Sequence, residues 1–332
     1  MLNGTHSTFS IQHSILNCMK VANISHEGFA AIQVDTGPLA LTVIPELGGK
    51  ISSLRDTRSG REWLWRHPRM AYRRVPHGSS YVAAADTGGW DECFPSVSAC
   101  AYPALPWAGV PVQDHGELWS QTAATQIDVG DESVSLHTRW HGVMLPYQFE
   151  RTIRLDAGSA RLSIAYRLSS AADEPLAWIW SAHPLIAIEP GMELSLPPGA
   201  RFHSGRRSGL PFPRSIPSAG GDVDLSRLPA RDAGASIKLW SAPLTDEGWA
   251  SLRAPDGALH MRWDVAEIPQ VAVWLNLGAH AFDGGEPYYN MGLEPCIGAQ
   301  DSLADAVHAY HLFEQLLPGG ARAWRLEVEL TP

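Results

Sequence analysis

The chain has 332 residues, 45% of them apolar and 18% charged, which is enough to bury a large core and far from the composition of a disordered polymer. Lys and Arg number 25 against 35 Asp and Glu, a net charge of −10, and the only lysines are Lys20, Lys50 and Lys238, a balance that excludes a nucleic-acid track. No apolar run reaches the roughly 18 residues of a membrane-spanning helix, and Met1 to Lys20 lacks a signal peptide's basic start and apolar middle.

The elements are mostly strands. After a first stretch rich in Pro, Gly, His and aromatic residues (67–117), period-2 alternation begins at Ser133–Trp140, with Val134, Leu136 and Trp140 opposite Ser135, His137 and Arg139. It recurs at Ala160–Ser169, where Leu162, Ile164, Tyr166 and Leu168 share a face. A second stretch rich in Pro, Gly, Ser and Arg (197–235) interrupts it. It returns at Leu259, Met261, Trp263 and Val265, and at Trp324, Leu326, Val328 and Leu330. Between the runs stand turn signals at Asp156-Ala157-Gly158, Pro255-Asp256-Gly257 and Pro318-Gly319-Gly320. The spacing predicts one short helix, between Ser302 and Leu316. Roughly fifteen to twenty antiparallel strands with so little helix imply an all-β sandwich or barrel. No repeat or linker divides the chain, so one domain spanning 1–332 is expected. Loops as long as 67–117 and 197–235 are more often functional than idle.

Cys18, Cys93, Cys100 and Cys296 have no CxxC spacing, so neither a zinc site nor a disulfide framework is indicated. P-loop, GxGxxG, GxSxG and HExxH motifs are absent. His308 and His311 stand three apart on the expected helix, where a metal pair or two solvated histidines would both fit. No cofactor or metal is expected, and the protein is expected to be cytoplasmic, monomeric or homodimeric, with neither a nucleic-acid nor a membrane partner.

Three clusters stand out. The first is Thr87-Gly88-Gly89-Trp90-Asp91-Glu92-Cys93-Phe94-Pro95, followed by Asp114-His115-Gly116-Glu117. The second is Trp178-Ile179-Trp180-Ser181-Ala182-His183-Pro184. The third is Asn290-Met291-Gly292-Leu293-Glu294-Pro295. A carboxylate inside an apolar run, as at Glu294, calls for a partner or a task. By parity His183 leaves the face shared by Trp178 and Trp180, so those two indoles back a site there.

Taken in order and spacing over about residues 30–330, these clusters resemble the aldose 1-epimerase (galactose mutarotase-like) family. Gly88 to Pro95 is similar to its glycine-rich segment, Asp114-His115-Gly116 to its first histidine motif, Trp180 to Pro184 to its His-Pro motif, and Gly292-Leu293-Glu294-Pro295 to its late glutamate. The resemblance implies a single-domain antiparallel β-supersandwich with a sugar cleft, Glu294 as general base, His183 as general acid and His115 as a substrate contact near the ring oxygen. Trp90, Asp91, Glu92 and Trp180 are the further candidates for touching the sugar. Two departures stand out: Asp86 and Thr87 occupy the place of a family arginine, and the family's middle aspartate has only Asp246 and Asp264 as candidates.

The chemistry suits those groups. Interconverting anomers moves a proton off the anomeric hydroxyl and another onto the ring oxygen, with no electron transfer. One base and one acid suffice, each contributing about 10²–10⁴-fold. A glutamate (about 4.3) is ionised at neutral pH and a histidine (about 6.5) partly protonated. Indoles can cover the apolar face of a pyranose, and two or three of the 13 tryptophans are expected to do so. Two other functions compete: sugar binding without turnover, and glycoside cleavage, which needs a second carboxylate about 5–10 Å from Glu294, with Asp91 and Glu92 as candidates. Arg73, Arg74, Arg206 and Arg207 in the long loops offer contacts for a phosphorylated or sulfonated sugar.

Overall fold

The alternating runs are strands, although the one through Leu259, Met261 and Trp263 ends before Val265, which lies in a turn; the computed structural model describes residues 19–204, 207–218 and 220–332. Ser133–His141, Tyr147–Asp156 and Arg161–Ser170 form an antiparallel meander whose register sets Phe149 against Trp140 and Leu168, and Ile153 against Leu136 and Ile164. Each strand thus lays its apolar set on one face, as period-2 geometry requires. Twenty-five strands occur among the described residues, and the excess over the expected number lies in short pieces.

Two large antiparallel sheets carry the fold. The first has eleven strands in the order Lys20–His26, Phe29–Asp35, Leu39–Ile44, Lys50–Asp56, Trp90–Cys93, Trp180–Ala187, Tyr289–Ile297, Gln270–Leu277, Ala235–Ser241, Phe202–Ser204 and Arg207–Leu210. The second has eight, with Gly248–Ala254, Gly257–Trp263 and Ala321–Thr331 leading into the meander. Their inner faces meet in an aromatic core. Trp180 of the first sheet lies 4.8 Å from the ring of Tyr166 and 5.2 Å from that of Trp324, both on the second. Such pairs add about 0.5–1.5 kcal/mol each beyond the area they bury. The chain is therefore the all-β sandwich that the alternation implies.

Local expectations fared unevenly. The helix predicted over 302–316 is shorter: Leu303–Asp305 is α-helical and Ala306–Tyr310 continues as a π-turn. His311 then takes a left-handed conformation (φ 54°) that ends it, and Glu314–Leu316 is a strand. Of the two long stretches, 67–117 supplies a short helix (Tyr81–Ala84), the strand Trp90–Cys93 and one wall of the cleft below. The described part of 197–235 forms edge strands and a small hairpin (Ser215–Ser218 with Gly221–Asp224), and none of it lines that cleft. Cys18 and Arg206 fall outside the described residues. No helix among the described residues is long and apolar enough to cross a membrane.

Candidate active site

The eleven-stranded sheet turns one face to the core and the other to a cleft of about 190 Å³. Parity decides which side chains reach it. In Trp90–Cys93 the odd residues Asp91 and Cys93 point to the cleft side, and Asp91 pairs with His183 on the neighbouring strand. On its other side that strand pairs Ser181 with Cys296 and Leu185 with Gly292, and the same register before and after Ala182–Pro184 sets His183 opposite Glu294. Gly292 in turn pairs with Trp274, and Trp274 with Lys238. Four adjacent strands thus bring His183, Glu294, Trp274 and Lys238 to one side of the sheet.

Glu294 is 1% exposed, and its two oxygens differ. Oε2 accepts from the Lys238 ammonium at 2.5 Å and from the Ser181 hydroxyl at 3.4 Å. Oε1 has no protein partner. It points over Gly292, where a Cβ would stand only 2.4 Å from it. Glycine is needed there for space, since its φ is not left-handed. Burial raises the Glu294 pKa above its ordinary value, while Lys238 opposes that rise. Burial would strip the Lys238 proton, but Asp301 and Glu294 outweigh it and hold the ammonium protonated. The ammonium lies 3.6 Å from Asp301, which also accepts from the Trp240 indole at 3.1 Å.

The histidines approach from the other side. His115 adopts a left-handed backbone (φ 60°), a conformation few non-glycine residues take and one that gathers at functional sites. The chain can pass there because Gly116 crosses Phe94 so closely that a Cβ would meet the Phe94 carbonyl oxygen at 2.0 Å. Asp114 Oδ1 lies 2.7 Å from His115 Nδ1, which makes that nitrogen the N–H and leaves Nε2 for the cleft. Burial pushes the Asp114 carboxyl up, but hydrogen bonds from His115, Ser80 and Val82 prevail and lower it. The His115 ring stacks on Tyr81 at 4.1 Å and meets His183 edge-on at 4.9 Å. His183 is driven well below the ordinary histidine range, first by burial and then by His115, Lys238 and Lys50, so at neutral pH it is uncharged. Its Nδ1 is buried without a protein partner.

Several sequence-predicted contacts lie elsewhere. Glu92 has the opposite parity to Asp91 and sits in the core. There its Oε1 accepts from Arg151 at 3.1 Å and Tyr166 at 3.0 Å, and its Oε2 from the Trp180 indole at 3.0 Å. Glu92 and Trp180 therefore satisfy each other from neighbouring strands on the core face of the larger sheet, away from the cleft. Trp90, 1% exposed, also faces the core. Asp91 is on the cleft side of the sheet but is held by Lys50 and by the Tyr81 hydroxyl at 2.7 Å, beside a separate cavity of about 50 Å³. It fastens the tyrosine on which His115 stacks. Of the tryptophans near the motifs, only Trp274 lines the cleft. Asp246 and Asp264 line a groove of about 780 Å³ over Gly248–Trp263, away from Glu294. Arg73 donates to the Ala84 carbonyl and Arg74 pairs with Glu46; neither lines the cleft.

Sequence reasoning missed Lys238, Asp301, Asp86 and Tyr288, all of which line it. Burial raises Asp86 to about 6. A lone lysine in the apolar run Ile237-Lys238-Leu239 was the available signal for the first of them. His308 and His311 are both exposed. Among the described residues, the His, Cys and acidic groups close enough to share an ion are Cys93, His115 and His183, with ligand atoms within 4.8 Å of one another. Burial holds the Cys93 thiol well above its usual range, which disfavours the thiolate a metal would need.

Two packed antiparallel sheets, with a histidine–carboxylate cleft on the outer side of the larger, define a galactose mutarotase-like β-sandwich. Among solved structures, a galactose mutarotase-like protein from Clostridium acetobutylicum matches with a TM-score of 0.67 at 10% identity, over 94% of this chain and 98% of that one. A galactose mutarotase related enzyme from Lactobacillus acidophilus matches with a TM-score of 0.61 at 13% identity, over 91% and 97%. The chain also covers 47% of a TPR-domain containing protein from Parabacteroides distasonis, with 91% of its own length, a TM-score of 0.61 and 15% identity. At such identities the likeness establishes the fold. No family model and no curated protein matches the sequence.

Proposed function

We propose that the cleft opens and recloses the ring of an aldose or related sugar, interconverting its α and β anomers, with Glu294 as the general base. The observation that carries this is the division of labour between its oxygens: Oε2 is taken by Lys238 and Ser181, while Oε1 is buried and unpartnered over Gly292. A base must present a lone pair and hold it still, and this carboxylate does both. Lys238 stays protonated, so it is a poor nucleophile toward the open aldehyde, and its task is to hold Glu294.

The acid is assigned to His115 in place of the His183 expected from the sequence: Asp114 Oδ1 holds His115 Nδ1 at 2.7 Å and leaves Nε2 for the cleft, whereas burial keeps His183 neutral and suited to donating or accepting a hydrogen bond. The proton balance closes. The anomeric hydroxyl gives its proton to Glu294 Oε1, His115 gives one to the ring oxygen, the C1–O5 bond breaks and C1=O forms. After rotation about C1–C2 the new ring closes, the O5 proton returns to His115, and Glu294 returns its proton to the anomeric oxygen. Trp274 offers an indole against which the ring can lie.

Following freshly dissolved α-glucose or α-galactose by polarimetry tests the proposal: the protein should speed equilibration, and His115→Asn should slow it by about 10²-fold or more. A second reading, sugar binding without turnover, is favoured by the hold of Lys238 on the base. Thermal stabilisation by sugars with no change in equilibration rate would support it instead.

A further inference from the structure

The charges that line the cleft do not balance. Glu294, Asp301 and Asp86 line it, against the Lys238 ammonium and no arginine. Glu294 and Asp301 share that ammonium, at 2.5 and 3.6 Å. His115 has Asp114 at 2.7 Å. Asp86 is left with no ion pair among the described residues, although it is only 8% exposed, and its Oδ1 is buried without a protein partner.

The backbone fixes where that carboxyl stands. After the one-turn helix Tyr81–Ala84, the Asp86 N–H donates to the Tyr81 carbonyl at 2.9 Å. Two residues on, Gly88 passes so close to Trp65 that a Cβ would meet its carbonyl oxygen at 2.1 Å. Asp86 thus sits between two fixed points of the chain, with its side chain at the cleft wall.

A carboxylate taken out of water needs a counter-charge or is driven to hold a proton. Burial pushes Asp86 up to about 6, opposed through space by His115 and Lys50, so at pH 7 it is mostly ionised. A ligand filling the cavity would exclude solvent from it further. A sugar hydroxyl would then give Asp86 one hydrogen bond and leave its charge uncompensated. A protonated amine supplies both the counter-charge and three N–H donors on one centre. Asn290, 2% exposed, lines the same cleft with its Oδ1 also unpartnered and offers a further acceptor. A phosphate or sulfonate would instead face three carboxylates and one ammonium that is already engaged.

We propose that Asp86 is a specificity-determining residue that selects an aldose bearing a protonated amine over its neutral counterpart, and that the cleft turns away phosphorylated and sulfonated sugars. This rests on the anomeric reading of the cleft for turnover, though not for binding.

The test compares glucosamine, glucose and glucose 6-phosphate at pH 7, where an amine of the α-amino kind (about 7.7–8.0) carries its proton. Equilibration rates should give glucosamine a KM about 10-fold below that of glucose, the difference between a charged and a neutral hydrogen bond. Asp86→Asn keeps the size and one acceptor oxygen but removes the charge. It should raise the glucosamine KM about 10-fold more than the glucose KM. Equal effects on both sugars would overturn the assignment, as would faster equilibration of glucose 6-phosphate than of glucose. Calorimetry separates this claim from turnover. If no sugar is turned over, glucosamine binding tighter than glucose, with that margin lost in Asp86→Asn, still supports Asp86. Glucosamine no tighter than glucose in the native chain would sink the selection, even where both sugars are turned over and Glu294 stands as the base.

Discussion

At Glu294 three neighbours divide one problem. A fully buried carboxylate is costly to ionise, Lys238 offsets that cost, and Gly292 leaves room for the free oxygen. Adding a methyl group at Gly292 would push Oε1 aside and press on the Trp274 Cβ at 3.2 Å. Gly292→Ala is expected to lower kcat by about 10²-fold, the scale of an ångström's misplacement, with far-UV circular dichroism and melting temperature nearly unchanged. Lys238→Met removes the charge that lowers the Glu294 pKa, so that pKa rises further. Because the base works ionised, activity is lost as pH falls through its pKa. The acid limb of the pH–rate profile in Lys238→Met should therefore move to higher pH. An unmoved limb would remove Lys238 from the mechanism.

Strand parity explains both what the sequence made legible and what it concealed. The alternation at Ser133–His141 and Arg161–Ser170 contains its own burial pattern, so the sandwich could be read directly. Parity also separates His183 from Trp180, as found, because Trp180–Ala187 keeps the same register before and after Ala182–Pro184. Within a motif such as Trp90-Asp91-Glu92-Cys93, however, adjacency in sequence conceals opposition in space. Asp91 looks to the cleft side and Glu92 to the core, and the core assignment emerges only when Arg151 arrives from the other sheet. Lys238 is 56 positions from Glu294, and no local pattern joins them. The π-turn after Asp305 likewise depends on how the segment packs, not on its helical spacing. The buried Glu92 ion pair has its own pH signature. Burial, only partly offset by Arg151, raises Glu92 to about 7 from 4.5. Between those values the native state keeps a proton that the unfolded chain sheds, so this contribution to stability is full below about 4.5 and fades as pH rises through about 7. Urea midpoints should show Glu92→Gln losing more stability at pH 5 than at pH 8. The reverse order would contradict the assignment.

For the whole molecule, the two faces of the larger sheet do separate work. The inner face buries most of the tryptophan in an aromatic seam with the second sheet, where Trp140, Trp178, Trp180 and Trp324 are each 1% exposed. The outer face, backed by that rigid layer, holds the polar cluster in place. A site carried on strands rather than loops fixes Glu294 and His183 opposite each other, while the stretch 67–117 folds over to bring His115. That division lets a single substitution be made at the cleft without disturbing the core. The decisive measurement is therefore the equilibration of freshly dissolved α-glucose and α-galactose, followed by polarimetry with the native chain and with Glu294→Gln. The native chain should accelerate at least one of them, and Glu294→Gln should lower that catalysis by about 10²–10⁴-fold while the far-UV circular dichroism stays that of the native fold. A fully active Glu294→Gln variant would contradict the assignment of the base and, with it, the mechanism.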